Sequence, residues 1–299
     1  MPNLNEVLYF LATTHQIVCK ENLTLGNVVK TVFRATRGKD LLVVKIGLSD
    51  RAAKEVLLNR KGYDELRSIG AHRLLPNPLF NLDYKGVPVV IMEDCGPDFY
   101  HASRAERNPV TLFKQLVETM ELVYSETRRP YSGEGQLRYL RAFLVYQYEV
   151  YLHNNIDREL IDEIRNFDIS CMTIPLTCFS SFDFTPEDVF VGSFGVKYVD
   201  PLPNLLGMPA IDLACFAGVA LDAHGLPGSK DGYTVLEDFA VHKVSKILGV
   251  TENVASCLFS FGRALQSALS ARFRLLNEPH RVPVLCRQSE AFARKFLSV

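Results

Sequence analysis

Three aspartates, Asp183, Asp188 and Asp200, fall within the stretch SSFDFTPEDVFVGSFGVKYVDP. The stretch reads as two short strands, VFVG and VKYVD, joined by the glycine turn GSFG. Carboxylates offer the hard oxygen ligands that magnesium takes, and one placed beside a hydroxyl can orient or deprotonate it. Phosphoryl transfer requires both, with a cation to offset the phosphate charge. Lys45, near the end of the apolar run LLVVKI, is a residue of that type. Each residue also has a plainer reading by itself. A lysine ending an apolar strand commonly snorkels to the surface, and aspartates around a hairpin commonly cap or turn the chain.

The ordered series resembles the aminoglycoside phosphotransferase and choline kinase-like family of the protein-kinase-like superfamily. The match runs from about Leu23 to Phe216. In the resemblance Asp183 corresponds to the catalytic aspartate of the HGDxxPxN loop, Asp188 to its metal-binding asparagine, and Asp200 to the magnesium-binding aspartate that follows. GMPAIDLACF resembles GDPxYDLA, which makes Asp212 the buried residue bracing the catalytic loop. VVKIG resembles the strand whose lysine holds the α- and β-phosphates, so Lys45 takes that role, with Glu55 as its ion-pair partner and Glu65 as the competing choice. VVIMEDCG resembles the hinge: the backbone of Glu93 and Cys95 would meet the adenine edge, with Met92 beside the ring. LTLGNVVKTVFRAT resembles the GxxNxVYR entrance strands, placing Leu25, Gly26 and Asn27 near the phosphates.

The resemblance implies an α+β, two-lobed protein-kinase-like fold, with a small β-rich N-lobe over residues 1–95 and a larger, mainly helical C-lobe over 96–299. It implies ATP and Mg2+ as cofactors and a small-molecule alcohol as acceptor. The chain departs from the pattern where Ser181 and Phe182 replace His-Gly and where Asp188 replaces asparagine. Those departures motivate an alternative, a catalytically impaired pseudokinase serving as a nucleotide-binding or protein-interaction module. Phosphorylation of protein serine or threonine is a third reading, but no APE-type segment lies between Asp200 and Asp212.

The elements that must position these residues are legible as hydrophobic periodicity. Residues 3–13 suit a short helix, and VVKTVFRATRGKDLLVVKI suits a β-hairpin turning near Arg37 to Asp40. Asp50 reads as an N-cap for a helix that carries Ala53, Val56, Leu57 and Leu66, with Gly62 weakening its middle. LLPNPLF leads into a second hairpin ending in VPVVIM. From Val110 to Ile164 amphipathic helical patterns take over, and Asn253 to Leu276 spaces its apolar residues helically.

Composition narrows the field further. The chain has 299 residues, 47% of them hydrophobic, a formal net charge of -1 and a pI near 6.7. Such a balance gives no overall pull toward nucleic acid or an anionic membrane. No segment is long and apolar enough to span a bilayer, and Glu6 before VLYFLA is wrong for a signal peptide. Seven scattered cysteines without a CxxC pair suggest neither a disulfide framework nor a zinc site, so a cytoplasmic setting is expected. Oligomeric state has no signature. The acids Asp157, Glu159, Asp162 and Glu163 would suit a cationic acceptor or merely a solvated helix face. The tyrosines Tyr139, Tyr146, Tyr148 and Tyr151 read as packing, and Arg281, Arg287, Arg294 and Lys295 as a solvated face.

Overall fold

Period-two alternation in DLLVVKI and VPVVIME turns Leu42, Val44, Ile46, Val87, Val89 and Ile91 to a common face. The computed structural model describes residues 2–24, 30–105, 109–130, 134–172, 176–181, 184–207, 211–223 and 229–298. In it that face is the core of a first unit made of Met1–Ser68, His72–Gly96 and Lys197–Asn204. Val7 and Leu11, one helical turn apart on α1 (Leu4–His15), join the same core. The Asn3 side chain caps α1 by accepting the Glu6 N–H at 3.0 Å.

The sheet of this unit holds β1 (Val18–Asn22), β2 (Thr31–Arg37), β3 (Asp40–Ile46), β4 (Leu79–Tyr84) and β5 (Val87–Glu93). Their order is β1-β2-β3-β5-β4, antiparallel throughout. Arg37 pairs with Asp40, so the first hairpin turns at Gly38 and Lys39 as its sequence suggests. Lys85 and Gly86, both at positive φ, turn β4 into β5, the conformation that two-residue hairpins favour. The register sets Lys45 opposite Val32 on one side and Val90 on the other, and Val43 opposite Met92. These residues occupy the sheet face away from the α1 core, because side chains alternate along a strand.

After β3 the chain enters α2 (Asp50–Ile69). The cap lies one residue upstream of the expected Asp50: Ser49 Oγ accepts the Ala52 N–H at 3.2 Å, while Asp50 is the first helical residue. A hydroxyl before the first turn reaches that orphan donor, and the Asp50 carboxylate then favours the positive end of the helix dipole. The helix runs unbroken through Gly62.

The second unit comprises Ile69–Ala71, Pro97–Val196 and Leu205–Val299. Its helices are α3 (Phe99–Ala105), α4 (Val110–Thr127), α5 (Glu134–Tyr146), α6 (Arg158–Asn166), α7 (Ile211–Gly218), α8 (Ser229–Asp238), α9 (Val244–Leu248), α10 (Glu252–Arg274) and α11 (Val282–Leu297). Three short strands, β6 (Arg129–Pro130), β7 (Leu176–Phe179) and β10 (Leu206–Gly207), pair antiparallel with β7 central. The expected hairpin is present as β8 (Val189–Gly192) and β9 (Gly195–Tyr198), turning at Ser193 and Phe194. Gly262 of α10 stands so close to Ala214 of α7 that a Cβ would lie 2.8 Å from the Ala214 methyl. Small residues thus let these two buried helices approach.

Several side readings are decided here. Tyr148 is fully buried against Ser289, with 2.7 Å between hydroxyls, whereas Tyr139 is exposed. The basic C-terminal stretch is the polar side of α11, whose Val282, Leu285, Ala293 and Phe296 are buried, and Arg294 pairs with Asp157. Among the described residues no helix is long and apolar enough to cross a membrane.

Candidate active site

Lys45 and Asp200, 155 residues apart, form an ion pair within the first unit: Lys45 Nζ donates to Asp200 Oδ1. Lys45 is nearly buried on the sheet face away from the α1 core, and burying a charge is tolerated only when it is paired. The partner comes from the segment following β9, where Asp200 adopts φ 61, a left-handed conformation uncommon for a residue other than glycine. Two contacts with α2 hold it there. Tyr63 Oη accepts the Asp200 N–H at 3.2 Å, and the Pro201 carbonyl lies against Gly62, where no Cβ would fit.

A second cation completes the group. Lys30 Nζ lies 2.6 Å from Asp200 Oδ2 and 3.4 Å from Asn59 Oδ1. Burial of Asp200 acts to raise its pKa, but the ammonium charges of Lys45 and Lys30 outweigh it, and the carboxyl titrates below its ordinary value. The aspartate is therefore ionised at neutral pH, with an ammonium on each oxygen.

The residues expected to form the hinge lie at the end of β5 and just after it. Met92 is buried, and the Tyr63 hydroxyl lies 3.5 Å from its sulfur, so one tyrosine touches both Met92 and the Asp200 backbone. Glu93 is tied locally: its N–H donates to Pro78 O and its carboxylate accepts the Asn77 N–H, both at 2.8 Å. The Cys95 thiol is buried and points back toward Glu93 O at 3.7 Å, and burial pushes its pKa up to about 12. No hydrogen bond among the described residues uses the Cys95 N–H. Glu55 is half-buried on α2, while Glu65 accepts the Asn204 N–H at 2.7 Å.

In the second unit Asp188 sits just before β8, and its Oδ2 accepts the Thr185 hydroxyl at 2.8 Å. Asp212 opens α7 fully buried, with the Tyr124 hydroxyl 2.6 and 2.5 Å from its two oxygens. Burial lifts the Asp212 pKa to about 7 despite the hydrogen bonds from Tyr124 and the local backbone. Ser181 is buried and its carbonyl accepts the Phe184 N–H at 3.3 Å. Asp183, Phe182, Leu25, Gly26 and Asn27 lie outside the described residues.

Two of the four acids that would suit a cationic acceptor are engaged elsewhere, while Glu159 and Glu163 are exposed. Asp157 caps α6 and pairs with Arg294, and Asp162 pairs with Arg165. Two cavities, of about 420 Å³ beside Glu149, Asp162 and Arg165 and about 320 Å³ beside Arg67 and Lys197, are lined by none of the residues expected to bind nucleotide or magnesium. Sequence reasoning missed Lys30, Tyr63 and Asn59. The only available signal for Lys30 was its place two residues before Val32, the cross-strand partner of Lys45.

This architecture, a small β-rich unit and a larger helical one, is the protein-kinase-like fold, and solved structures of small-molecule kinases share it. Choline kinase from Cryptosporidium parvum Iowa II is similar over 99% of this chain and 95% of its own, with a TM-score of 0.55 and 10% identity. A thermostable mutant of an aminoglycoside phosphotransferase, in ternary complex with ADP and hygromycin B, matches over 97% and 98% with a TM-score of 0.55 and 12% identity. An amicoumacin kinase in complex with AMP-PNP, Ca2+ and its antibiotic matches over 98% and 94% with a TM-score of 0.53 and 14% identity. At such identities the likeness establishes the fold. No family model and no curated protein matches the sequence.

Proposed function

We propose that the chain is an ATP- and magnesium-dependent phosphotransferase acting on a hydroxyl group of a small molecule. The observation that carries this reading is the ion pair between Lys45 and Asp200, the two residues that the family resemblance assigns to phosphates and metal. The full-length fold likeness to small-molecule kinases supports it. In this reading Lys45, held by Asp200 rather than by the expected Glu55, grips the nucleotide phosphates, and Asp183 orients or deprotonates the acceptor hydroxyl. The Glu93 carbonyl and the Cys95 N–H take the adenine edge beside Met92, while Gly26 and Asn27 line the phosphate loop. Asp212, buried on the Tyr124 hydroxyl, is a support rather than a reactant.

Asp200 suits magnesium as an ionised oxygen donor, and Asp188 is the second acid the resemblance assigns to it. Among the described residues no group of three or more His, Cys, Asp or Glu gathers as a metal cage. That matches the habit of magnesium, which is held by one or two carboxylates together with phosphates and water. What the ion supplies when bound is compensation of phosphate charge.

The pseudokinase reading has its own observation: both oxygens of Asp200 already hold lysines, and Ser181 and Phe182 stand where the family has His-Gly. A thermal-shift titration with ATP and magnesium, followed by a coupled ADP-release screen over alcohol-bearing metabolites, separates the two. The enzyme reading expects turnover that Asp183→Asn nearly abolishes while ATP binding persists. Binding without turnover on any alcohol would favour the pseudokinase, and no nucleotide binding would reject the enzyme and leave the pseudokinase only as a protein-interaction module.

A further inference from the structure

Asp94 lies between the two backbone groups that the proposed function assigns to adenine, the Glu93 carbonyl and the Cys95 N–H. Three contacts tie it down within the first unit. Its N–H donates to Leu41 O at 3.1 Å, carrying the β3–β5 pairing one residue further. Its Oδ1 accepts the Gly96 N–H at 3.0 Å, and its Oδ2 accepts the Arg34 Nε–H at 2.7 Å. An aspartate bonded to the backbone two residues on closes a tight turn, and Gly96 supplies the positive φ, 73, that the turn requires.

Strand register explains how Arg34 reaches that carboxylate. Arg34 stands opposite Val43, and Val43 opposite Met92, so the three share one cross-strand row on the sheet face that carries Lys45. Asp94 follows two residues beyond Met92. Glu21, opposite Arg34 on β1, accepts its Nη1–H at 2.5 Å and steadies the guanidinium. The Arg34 side chain is 42% exposed but that of Asp94 only 9%, so removing the guanidinium deprives a largely buried carboxylate of its charged partner. A base edge is read by the direction of the groups facing it, and the peptide between Asp94 and Cys95 sets the direction of the Cys95 N–H. We propose that Arg34 and Asp94 are positioning residues for base recognition: their ion pair fixes the turn from Glu93 to Gly96 and thereby selects adenine over a base with the opposite edge. The inference rests on the nucleotide-binding reading and adds to it what sets the choice of base.

The test is isothermal titration of the full chain, in excess magnesium chloride, with ATP and with inosine triphosphate, for wild type, Arg34→Met, Arg34→Lys and Asp94→Asn. Adenine offers an amino donor and a bare N1 acceptor; hypoxanthine offers a carbonyl and an N1–H, which would meet the Glu93 carbonyl and the Cys95 N–H as like groups. Wild type should therefore prefer ATP by about tenfold or more, because a mismatched base leaves polar groups unpaired. Arg34→Met and Asp94→Asn should each lose most of that preference by weakening ATP about tenfold while changing inosine triphosphate little, as expected when preorganisation is lost. Arg34→Lys keeps the charge without the Nε–H and should fall between wild type and Arg34→Met. A merely structural defect would weaken both nucleotides alike and leave their ratio unchanged. Equal affinities of wild type for the two nucleotides, or variants that keep the wild-type ratio, would overturn the positioning role while leaving the nucleotide site standing. Absence of ATP binding by wild type would remove the site and this inference together.

Discussion

Gly62 of α2 lies beneath the carbonyl of Pro201, at a distance no Cβ could share, and the residue before that proline is Asp200. The pair acts as a seat for the segment whose carboxylate holds Lys30 and Lys45. In an exposed helix, replacing glycine by alanine stabilises by up to about 1 kcal/mol. Here the added methyl meets backbone, and overpacking of that kind costs about 1–3 kcal/mol. The clash should win. Gly62→Ala is expected to lower the melting temperature and to weaken nucleotide binding through displacement of Asp200. A more stable variant with unchanged binding would show that the seat does not matter.

Asp200 also makes a prediction about acid stability. Its folded pKa lies below the ordinary carboxylate value, so its contribution is present above that ordinary value and is lost as pH falls through the folded one. Asp200→Asn leaves two lysines, one of them buried, without their shared countercharge. At pH 7 the variant should therefore melt well below wild type, and the difference should shrink as pH is lowered below about 4. Melting curves between pH 3 and 7 measure it, and a gap that stays constant with pH would contradict the ion-pair account.

Asp212 has the opposite sign. Its pKa is raised to about 7, so its folded form holds a proton that the unfolded chain releases near pH 4. The stability it contributes is complete below the unfolded value and is lost as pH rises through about 7, over a span on the order of a few kcal/mol. Asp212→Asn cannot titrate, and it should flatten the fall in melting temperature between pH 5 and 8. Tyr124→Phe removes the hydroxyl at the carboxylate and should steepen that fall. Identical pH profiles for wild type and Asp212→Asn would place the proton elsewhere.

At the proposed hinge the Cys95 side chain should be dispensable. The Cys95 thiol points toward Glu93 O and is held protonated by burial, so the proposed reading gives the adenine contact to the backbone and not to the sulfur. Cys95→Ala is expected to cost some stability from the lost buried sulfur while leaving ATP affinity unchanged. An affinity loss in titration calorimetry would mean that the thiol, not the backbone, makes the contact.

Much of this was legible in the chain because it is local. The two hairpins, the α2 helix and the apolar stripe of α4 follow from residue periods of two and 3.6 and from turn residues such as Gly38 and Gly86. Lys45 could be singled out as a lysine ending an apolar strand, and Asp200 as an acid just past a hairpin. The helix through Gly62 was harder to read, since an isolated glycine in a helix signals weakness unless a neighbour needs the space, and that neighbour, Pro201, is 139 residues away in the chain. Likewise the sequence alone set Glu55 against Glu65 as possible partners of Lys45. The fold gives Lys45 to Asp200 and spends Glu65 on the Asn204 N–H.

The amino-acid sequence by itself determined which segments are strands and helices, which faces are apolar, and which residues have the chemistry for phosphate and metal. Only the tertiary structure decided that Lys30 shares Asp200 with Lys45, and that Tyr63 and Gly62 hold Asp200 in a left-handed conformation. The reason is physical: a side-chain period reports one element's own geometry, whereas a charge contact between residues far apart depends on register, packing and the exclusion of water, which exist only once the elements have assembled.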